Sequence, residues 1–252
     1  ARCKERAEFS FFAKLAYDAS KAAVFASQSA ATTSTVREKM KPFYTVLSAA
    51  FLIAASPAHS DDCTAKIAAA FNGGALDAYQ RPAHRHEKQV LNAEGEVNFT
   101  FLSIVETPLR TIAGLKHGDM TLTIDDQTWT GPGPDGPWAA SENNMPKDRK
   151  TWHLALQAQQ AKNLTKTDCE RSVELDGTTY EMLRFTTQTD PNPDANNAFF
   201  GGTTTAYIDP NTQNLMRLDV TELFSSWLPE PGTDTHITRF TYDPSIRVNT
   251  PM

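Results

Sequence analysis

The feature that most constrains the fold is an alternation of apolar and polar residues with period two between Arg85 and Ile124. Segments that also favour strands follow at regular spacing, separated by short turns such as Asp176-Gly177. They are Met120–Ile124, Gln127–Gly131, Ser172–Asp176, Thr178–Thr187, Thr203–Ile208, Leu215–Leu223 and His236–Tyr242. This pattern predicts nine to eleven strands in a large antiparallel sheet, a barrel or a sandwich, and excludes a parallel α/β sheet.

Two segments after residue 60 are predicted to be helices. Thr64–Phe71 is rich in alanine and stops at Asn72-Gly73-Gly74, and either Asp61 or Asp62 is placed to cap its start. Trp152–Asn163 carries apolar residues in an Ala/Gln context without glycine or proline, which favours a short helix that covers a sheet.

The N-terminal quarter of the chain indicates export. An apolar run of about 13 residues, Phe43–Ala55, follows basic residues near Met40 and is too short to span a bilayer. Ala58-His59-Ser60 has the small residues of a cleavage site, so residues 40–60 are predicted to be a signal peptide. Residues 1–39 are interpreted as an upstream extension, with a helix from Phe9 to Gln28 as the alternative. Residues 61–252 are then a single periplasmic domain without a transmembrane span.

Charge and cysteines limit the partners and the compartment. Residues 1–60 hold 8 of the 24 basic and 4 of the 30 acidic residues, which leaves 16 basic and 26 acidic residues and a net charge of −10. Such a chain repels phosphate backbones, so no nucleic-acid partner is expected. Cys63 and Cys169 are predicted to form a disulfide, with two buried thiols as the alternative.

Residue patterns that often carry catalysis or metals are weak in this chain. His84 and His86 lie two apart on a predicted strand, but no third ligand has a suitable spacing, so the pair is interpreted as a solvated strand edge and no metal is expected. Asp125-Asp126 is interpreted as a hairpin turn, not as a pair of catalytic carboxylates. No nucleophile elbow, phosphate loop or dinucleotide motif occurs in the sequence. We therefore expect neither an enzyme nor a cofactor.

Two loops contain large apolar residues, unlike the tight turns elsewhere. One loop, residues 190–202, contains Phe199 and Phe200, and the other, residues 224–232, contains Phe224, Trp227 and Leu228. Each loop either folds back on its own domain or acts as a lid or a docking patch for another protein.

One turn and its flanking strands resemble a known family. The stretch from Tyr207 to Leu218, which contains Asp209-Pro210-Asn211-Thr212, resembles the strand–turn–strand of LolA-like and LppX-like envelope lipid carriers. Weaker similarities follow the same order along the chain. They are Ile124–Trp129 before Gly136-Pro137-Trp138, Val173–Gly177, Arg184-Phe185-Thr186 and Thr238–Ile246.

The resemblance implies an α+β fold that is mainly β, in which a curved, incompletely closed antiparallel half-barrel has its concave face covered by about two short helices. It also implies a non-catalytic carrier or receptor with an apolar cavity for acyl chains. Candidate lining residues lie on alternating strand positions, and ordinary core packing is the alternative for each of them. They are Phe99, Phe101, Met120, Leu122, Met216, Leu218 and Phe240.

Two functions agree with these patterns. The first is a periplasmic protein that carries or senses a lipid or an acylated protein, because burial of a 16-carbon chain contributes on the order of 10 kcal/mol before ordering costs. The second is a sensor or interaction module with a filled core, which binds another envelope protein through the aromatic loops.

Overall fold

The structure, a computed structural model, describes residues 58–143 and 146–251. Two α-helices lie in these ranges, α1 (Ala58–Phe71) and α2 (Arg149–Lys162). The first six strands are β1 (His84–Leu91), β2 (Val97–Thr107), β3 (Arg110–Leu115), β4 (Met120–Ile124), β5 (Gln127–Gly131) and β6 (Ala139–Ser141). After α2 follow β7 (Thr165–Leu175), β8 (Thr178–Gln188), β9 (Phe200–Ile208), β10 (Leu215–Ser225) and β11 (Thr235–Tyr242), with a 3₁₀ turn at Pro193–Ala195.

The eleven strands form one antiparallel sheet in the order β6-β5-β4-β3-β2-β1-β11-β10-β9-β8-β7. Its edge strands, β6 and β7, do not pair with each other, so the sheet is a curved half-barrel that is not closed. The first and last strands of the chain meet in the middle, where β1 pairs with β11. The predicted fold class, including the two helices over the concave face, is confirmed.

The helices cover the concave face of strands β8 to β11. Ile67 and Phe71 of α1 lie in one buried cluster with Leu183, Phe185 and residues of β9 to β11. The rings of Phe71 and Phe185 meet edge to face, with their centroids 5.5 Å apart. A disulfide joins Cys63 of α1 to Cys169 of β7, with the two Cα atoms 5.7 Å apart. The predicted disulfide is confirmed.

Helix α2 spans from one end of the half-barrel to the other. At its start the Asp148 side chain caps the helix by accepting from the Thr151 N–H at 3.1 Å, and Arg149 donates to the Asp125 carbonyl in the β4–β5 turn at 2.7 Å. At its end Thr187 of β8 donates to the Gln160 carbonyl at 2.6 Å. These bonds tie α2 to two distant parts of the sheet.

The convex face of strands β2 to β5 has its own small core. Leu122 and Ile124 of β4 pack there with Val248 of the C-terminal segment, and the rings of Trp129 and Trp138 lie against them. The segment is held by its backbone, since the Val248 N–H donates to the Glu106 carboxylate at 2.8 Å. One half of the sheet is thus covered by helices on its concave face, and the other by a terminal segment on its convex face.

The helices begin earlier than the sequence predicts. Helix α1 begins at Ala58, so Asp61 and Asp62 lie inside it and not at its start. Helix α2 begins at Arg149, because Asp148 is a better N-cap than any residue nearer to Trp152. The predicted leader up to Pro57 and the 1–39 extension lie outside the described residues. Neither helix in the described ranges is long and apolar enough to cross a membrane.

Candidate ligand cavity

A cavity of about 350 Å³ lies between the two helices and strands β8 to β10. It is lined mainly by apolar side chains and opens to the surface. The helix side and the loop after α1 contribute Phe71, Leu76, Ala78, Arg81, Gln157 and Gln160. The strands contribute Phe185, Thr187, Phe200, Gly201, Gly202, Thr204, Leu218, Val220 and Leu223. A space of this size and lining is at the lower end of the range of small-ligand pockets.

The loop after α1 is held in place by the buried carboxylate of Asp77. Its oxygens accept from the backbone N–H groups of Gly73 and Tyr79 at 3.2 and 2.9 Å, and from the Gln157 side chain of α2 at 3.3 Å. Arg81 donates to the carbonyls of Ala75 and Leu76 at 3.3 and 3.1 Å. These bonds give the cavity a rigid wall on its helix side.

Of the predicted lining residues, Leu218 lines this cavity and Phe240 lies beside Leu218 in the adjoining core. Phe99 and Phe101 lie further along the concave face, two strands beyond Phe240, and both are half-buried. Their rings meet edge to face at a centroid distance of 5.2 Å. The concave face therefore carries apolar side chains on both sides of β1, at the cavity and on β2.

Met120 and Leu122 do not share that face, which corrects the sequence prediction for these two residues. The register pairs Leu122 with Ile112 and Ile112 with Ile104, all on the convex face. Alternation assigns faces within one strand, but only the pairing register relates one strand's faces to the next. Met216, another predicted lining residue, has no partner in β9, because the register shifts between Leu215 and Arg217.

The aromatic residues of the two predicted loops pack against each other at the mouth of the cavity, although Phe200 lies at the start of β9 and Phe224 near the end of β10. The rings of Phe200 and Trp227 meet at a centroid distance of 4.9 Å, and those of Phe199 and Phe224 at 6.4 Å. A Cβ on Gly201 would lie 2.2 Å from the Phe224 ring, so this packing needs a glycine there. Phe200, Trp227 and Leu228 nevertheless stay 38%, 45% and 51% exposed. We call these three side chains the aromatic rim.

The histidine pair is not a solvated strand edge, so the sequence-based interpretation of His84 and His86 is wrong. Strand β1 lies in the middle of the sheet, and His84 is buried, with its Nδ1 2.8 Å from the Pro82 carbonyl oxygen. The rings of His84 and His86 stack at 5.4 Å, and that of His86 lies 5.2 Å from Phe240. Burial lowers the pKa of His86 to about 3. In the described ranges no group of three or more His, Cys, Asp or Glu side chains is arranged to hold a metal.

The sequence reasoning missed three basic residues of the concave face, Arg81, Lys88 and His236. Lys88 follows His84 and His86 at the same period of two, and His236 begins a predicted strand. A lysine at the inward-facing positions of a strand is the signal that would have identified Lys88. This signal can be interpreted only when β1 is known to be a central strand.

The opposite face of strands β7 to β10 forms a polar groove of about 610 Å³. Its lining residues are Lys166, Asp168, Arg184, Thr186, Thr203, Thr205, Thr221 and Glu222. Their polar groups partly satisfy one another, for example Thr203, which donates to Glu222 at 2.7 Å. This groove lacks the apolar lining of the first cavity.

No family model and no curated protein matches the sequence. Among solved structures, the chain is similar to the lipoprotein LppX of Mycobacterium tuberculosis, with 12% identity and a TM-score of 0.43 over 75% of this chain and 99% of LppX. It is similar to LprF of Mycobacterium bovis, with 11% identity and a TM-score of 0.41 over 74% of this chain and 97% of LprF. A LolA-superfamily protein of Nitrosomonas europaea follows, with 8% identity and a TM-score of 0.25 over 69% and 90% of the two chains. These similarities concern the fold alone.

Proposed function

We propose that this protein is a non-catalytic, periplasmic carrier or receptor that binds the acyl chain of a lipid or an acylated protein. The observation that carries the proposal is the apolar cavity of about 350 Å³ between helices and sheet, and further half-buried apolar residues lie on the same concave face. Each buried methylene of such a chain contributes about 0.8 kcal/mol, so apolar area alone is enough for retention. The Cys63–Cys169 disulfide agrees with an oxidising compartment.

The aromatic rim fits the role of a lid. Phe200, at the start of β9, lines the cavity and also packs on Trp227, so a movement of the turn after β10 that carries Trp227 changes access to the space beneath. Large apolar side chains that stay exposed at a cavity mouth gain burial when an acyl chain occupies that mouth. We expect the loops to close further over a bound chain.

The experiment is uptake of methyl palmitate by the delipidated full chain, followed by native mass spectrometry. We expect one ligand per chain. Val220→Trp fills the cavity and should reduce uptake at least tenfold. Thr221→Trp is the matched control, because the next residue of β10 lines the opposite groove and should not change uptake. A folded wild-type chain that takes up no lipid of any kind would overturn the proposal.

A second candidate function is an interaction module whose aromatic rim binds another envelope protein. It is favoured by the exposure of Phe200, Trp227 and Leu228 together on one surface. The double variant Phe200→Ala, Trp227→Ala separates the two functions. Loss of a co-purifying envelope protein with unchanged lipid uptake favours the module, whereas weaker uptake favours the lid.

A further inference from the structure

A row of basic side chains lies on the concave face beside the cavity. His84, His86 and Lys88 are alternate residues of β1, and the register pairs Val90, the next in the row, with His236 of β11. Arg81, in the segment before β1, lies with its guanidinium 5.5 Å from the Phe240 ring centroid. Five basic groups therefore share one side of the sheet. We call them the basic row.

The charged residues around β1 that have a partner of opposite charge lie on the convex face of the sheet. Glu87 lies opposite Arg239 in the register, and its carboxylate accepts from the Lys116 ammonium at 2.8 Å. Since successive residues of a strand point to opposite faces, this carboxylate is turned away from Lys88. The basic row receives no counter-charge from its own strand.

Two members of the basic row are incompletely satisfied. Within the described ranges Lys88 makes no hydrogen bond or ion pair, and its Nζ lies 4.8 Å from the Phe101 ring centroid. The Nδ1 atom of His86 is buried and has no hydrogen-bond partner among the residues that the structure describes. A buried cation without a counter-ion is costly, and such groups are normally paired in proteins.

The electrostatic effects agree with an unpaired cluster. Burial lowers the pKa of Lys88, and it lowers the pKa of His86 to about 3 and that of His236 to about 4. The charge of Lys88 contributes to both histidine shifts, and His84 and Arg81 add to the shift of His86. No carboxylate is among the groups that shift these three pKa values.

The register connects the basic row to the cavity. Val220, which lines the cavity, is the direct partner of His236. Leu218, also in the lining, pairs with Thr238, which in turn pairs with Lys88. Neighbouring strands are about 4.8 Å apart, so the Lys88 backbone lies roughly 10 Å from that of Leu218. A ligand chain in the cavity can therefore reach Lys88 with its end.

We propose that the ligand is an acidic amphiphile, whose acyl chain fills the apolar cavity and whose carboxylate or phosphate group pairs with the Lys88 ammonium. His86 and His236 flank this position and donate hydrogen bonds from their ring N–H groups. The inference rests on the proposed function and deepens it, because it adds the chemical class of the headgroup. It also assigns a role to Lys88, which does not stabilise the chain in the absence of a ligand.

The test compares palmitate with methyl palmitate, which has the same chain without the charge. We expect the delipidated full chain to bind palmitate at least tenfold more tightly at pH 7. Lys88→Met should abolish this preference and leave the affinity for methyl palmitate unchanged. Lys116→Met removes a lysine from the convex face and is the matched control, which should retain the preference.

A second measurement does not depend on binding. Because Lys88 is a half-buried cation that makes no hydrogen bond or ion pair with the described residues, Lys88→Met should raise the midpoint of thermal unfolding of the empty chain by a few degrees, and palmitate should raise it further only in the wild type. An unchanged or lower midpoint of Lys88→Met would show that Lys88 is satisfied in the fold and would overturn the inference.

Two further arms identify the source of the acid group. If lysophosphatidate binds as tightly as palmitate, the site accepts acidic headgroups in general. If palmitate binds more tightly the headgroup is a carboxylate, and if lysophosphatidate binds more tightly it is a phosphate. Inorganic phosphate alone should not displace palmitate, and displacement would show an anion site that is independent of the cavity, contrary to the inference. Equal affinity for palmitate and its methyl ester overturns the inference but leaves the carrier proposal, whereas uptake of neither overturns both.

Discussion

The two halves of the sheet bury their apolar residues in opposite ways. Strands β7 to β11 have their concave face covered by α1 and α2, and a disulfide fastens that cover. Strands β2 to β5 are instead covered on the convex face by the segment around Val248, while on their concave side Leu115 stays 43% exposed. One curved sheet is thus packed under helices on its concave face at one end and leaves an apolar side chain of that face exposed at the other.

Removal of the disulfide should have the largest effect, and it tests whether the helix-covered half depends on its covalent link. For a loop of 106 residues the chain-entropy model gives a loss of about 4–5 kcal/mol in the free energy of unfolding. The double variant Cys63→Ala, Cys169→Ala is compared with the wild type by urea denaturation. A loss below about 1 kcal/mol would show that packing of Ile67 and Phe71 holds α1 unaided.

The second prediction sharpens the contrast between the faces of the open half. Leu122→Ala should lower the free energy of unfolding by about 3 kcal/mol, because this side chain is almost fully buried against Val248. Phe101→Ala should cost less stability and should weaken acyl-chain uptake, since Phe101 is half-buried on the concave face. Equal stability losses would show that both faces are equally well packed. Urea denaturation and native mass spectrometry measure the two effects.

The third prediction concerns pH at the boundary between the halves. The pKa values of His86 and His236 are about 3 and about 4 in the folded chain and near 6.5 when unfolded, so the unfolded state binds more protons below pH 6.5. Stability is therefore full above pH 7 and falls as pH decreases, by about 1–2 kcal/mol per histidine at pH 5.

The double variant His86→Gln, His236→Gln should flatten this pH dependence of the unfolding free energy. His117→Gln, at an exposed position in the β3–β4 turn, is the matched control and should leave the slope unchanged. A slope that persists in the double variant would assign the proton uptake to other groups.

The smallest expected effect concerns α2, which bridges the two halves. Asp148→Ala removes the N-cap and should cost about 1 kcal/mol of stability. Asp148→Asn, which keeps an oxygen that accepts from Thr151, should cost only a fraction of that. Thermal unfolding measures both changes, and an equal loss in the two variants would indicate that charge, not capping, matters at this position.

Much of the secondary structure was predictable from local pattern. Strands β4 and β5 begin and end at the predicted residues, because apolar alternation and the Asp125-Asp126 turn both define them. The first part of β7, Thr165–Arg171, was missed, since it is polar and does not alternate. The three-residue β6 was missed for lack of any local signal.

The candidate site was only partly predictable. Leu218 and Phe240 were expected near a ligand, and the structure places them at the cavity and its adjoining core. Met120 and Leu122 were assigned to the wrong face, and His84 and His86 were interpreted as a solvated edge. Both errors concern which strands are neighbours, and the β1–β11 pair joins residues as far apart as His84 and Tyr242.

Local chemistry therefore settled the class of the chain: antiparallel strands with period-two alternation, turns at Asp-Gly and Asp-Pro, two short helices, and the pairing of Cys63 with Cys169. The register and the curvature of the sheet belong to the tertiary structure, because they depend on contacts between segments that lie far apart in the chain. Those long-range pairings turned Lys88 and its histidines toward the cavity and turned Leu122 away from it. The alternation within a strand determines on which face a side chain lies. The pairing of all the strands determines what that face contacts.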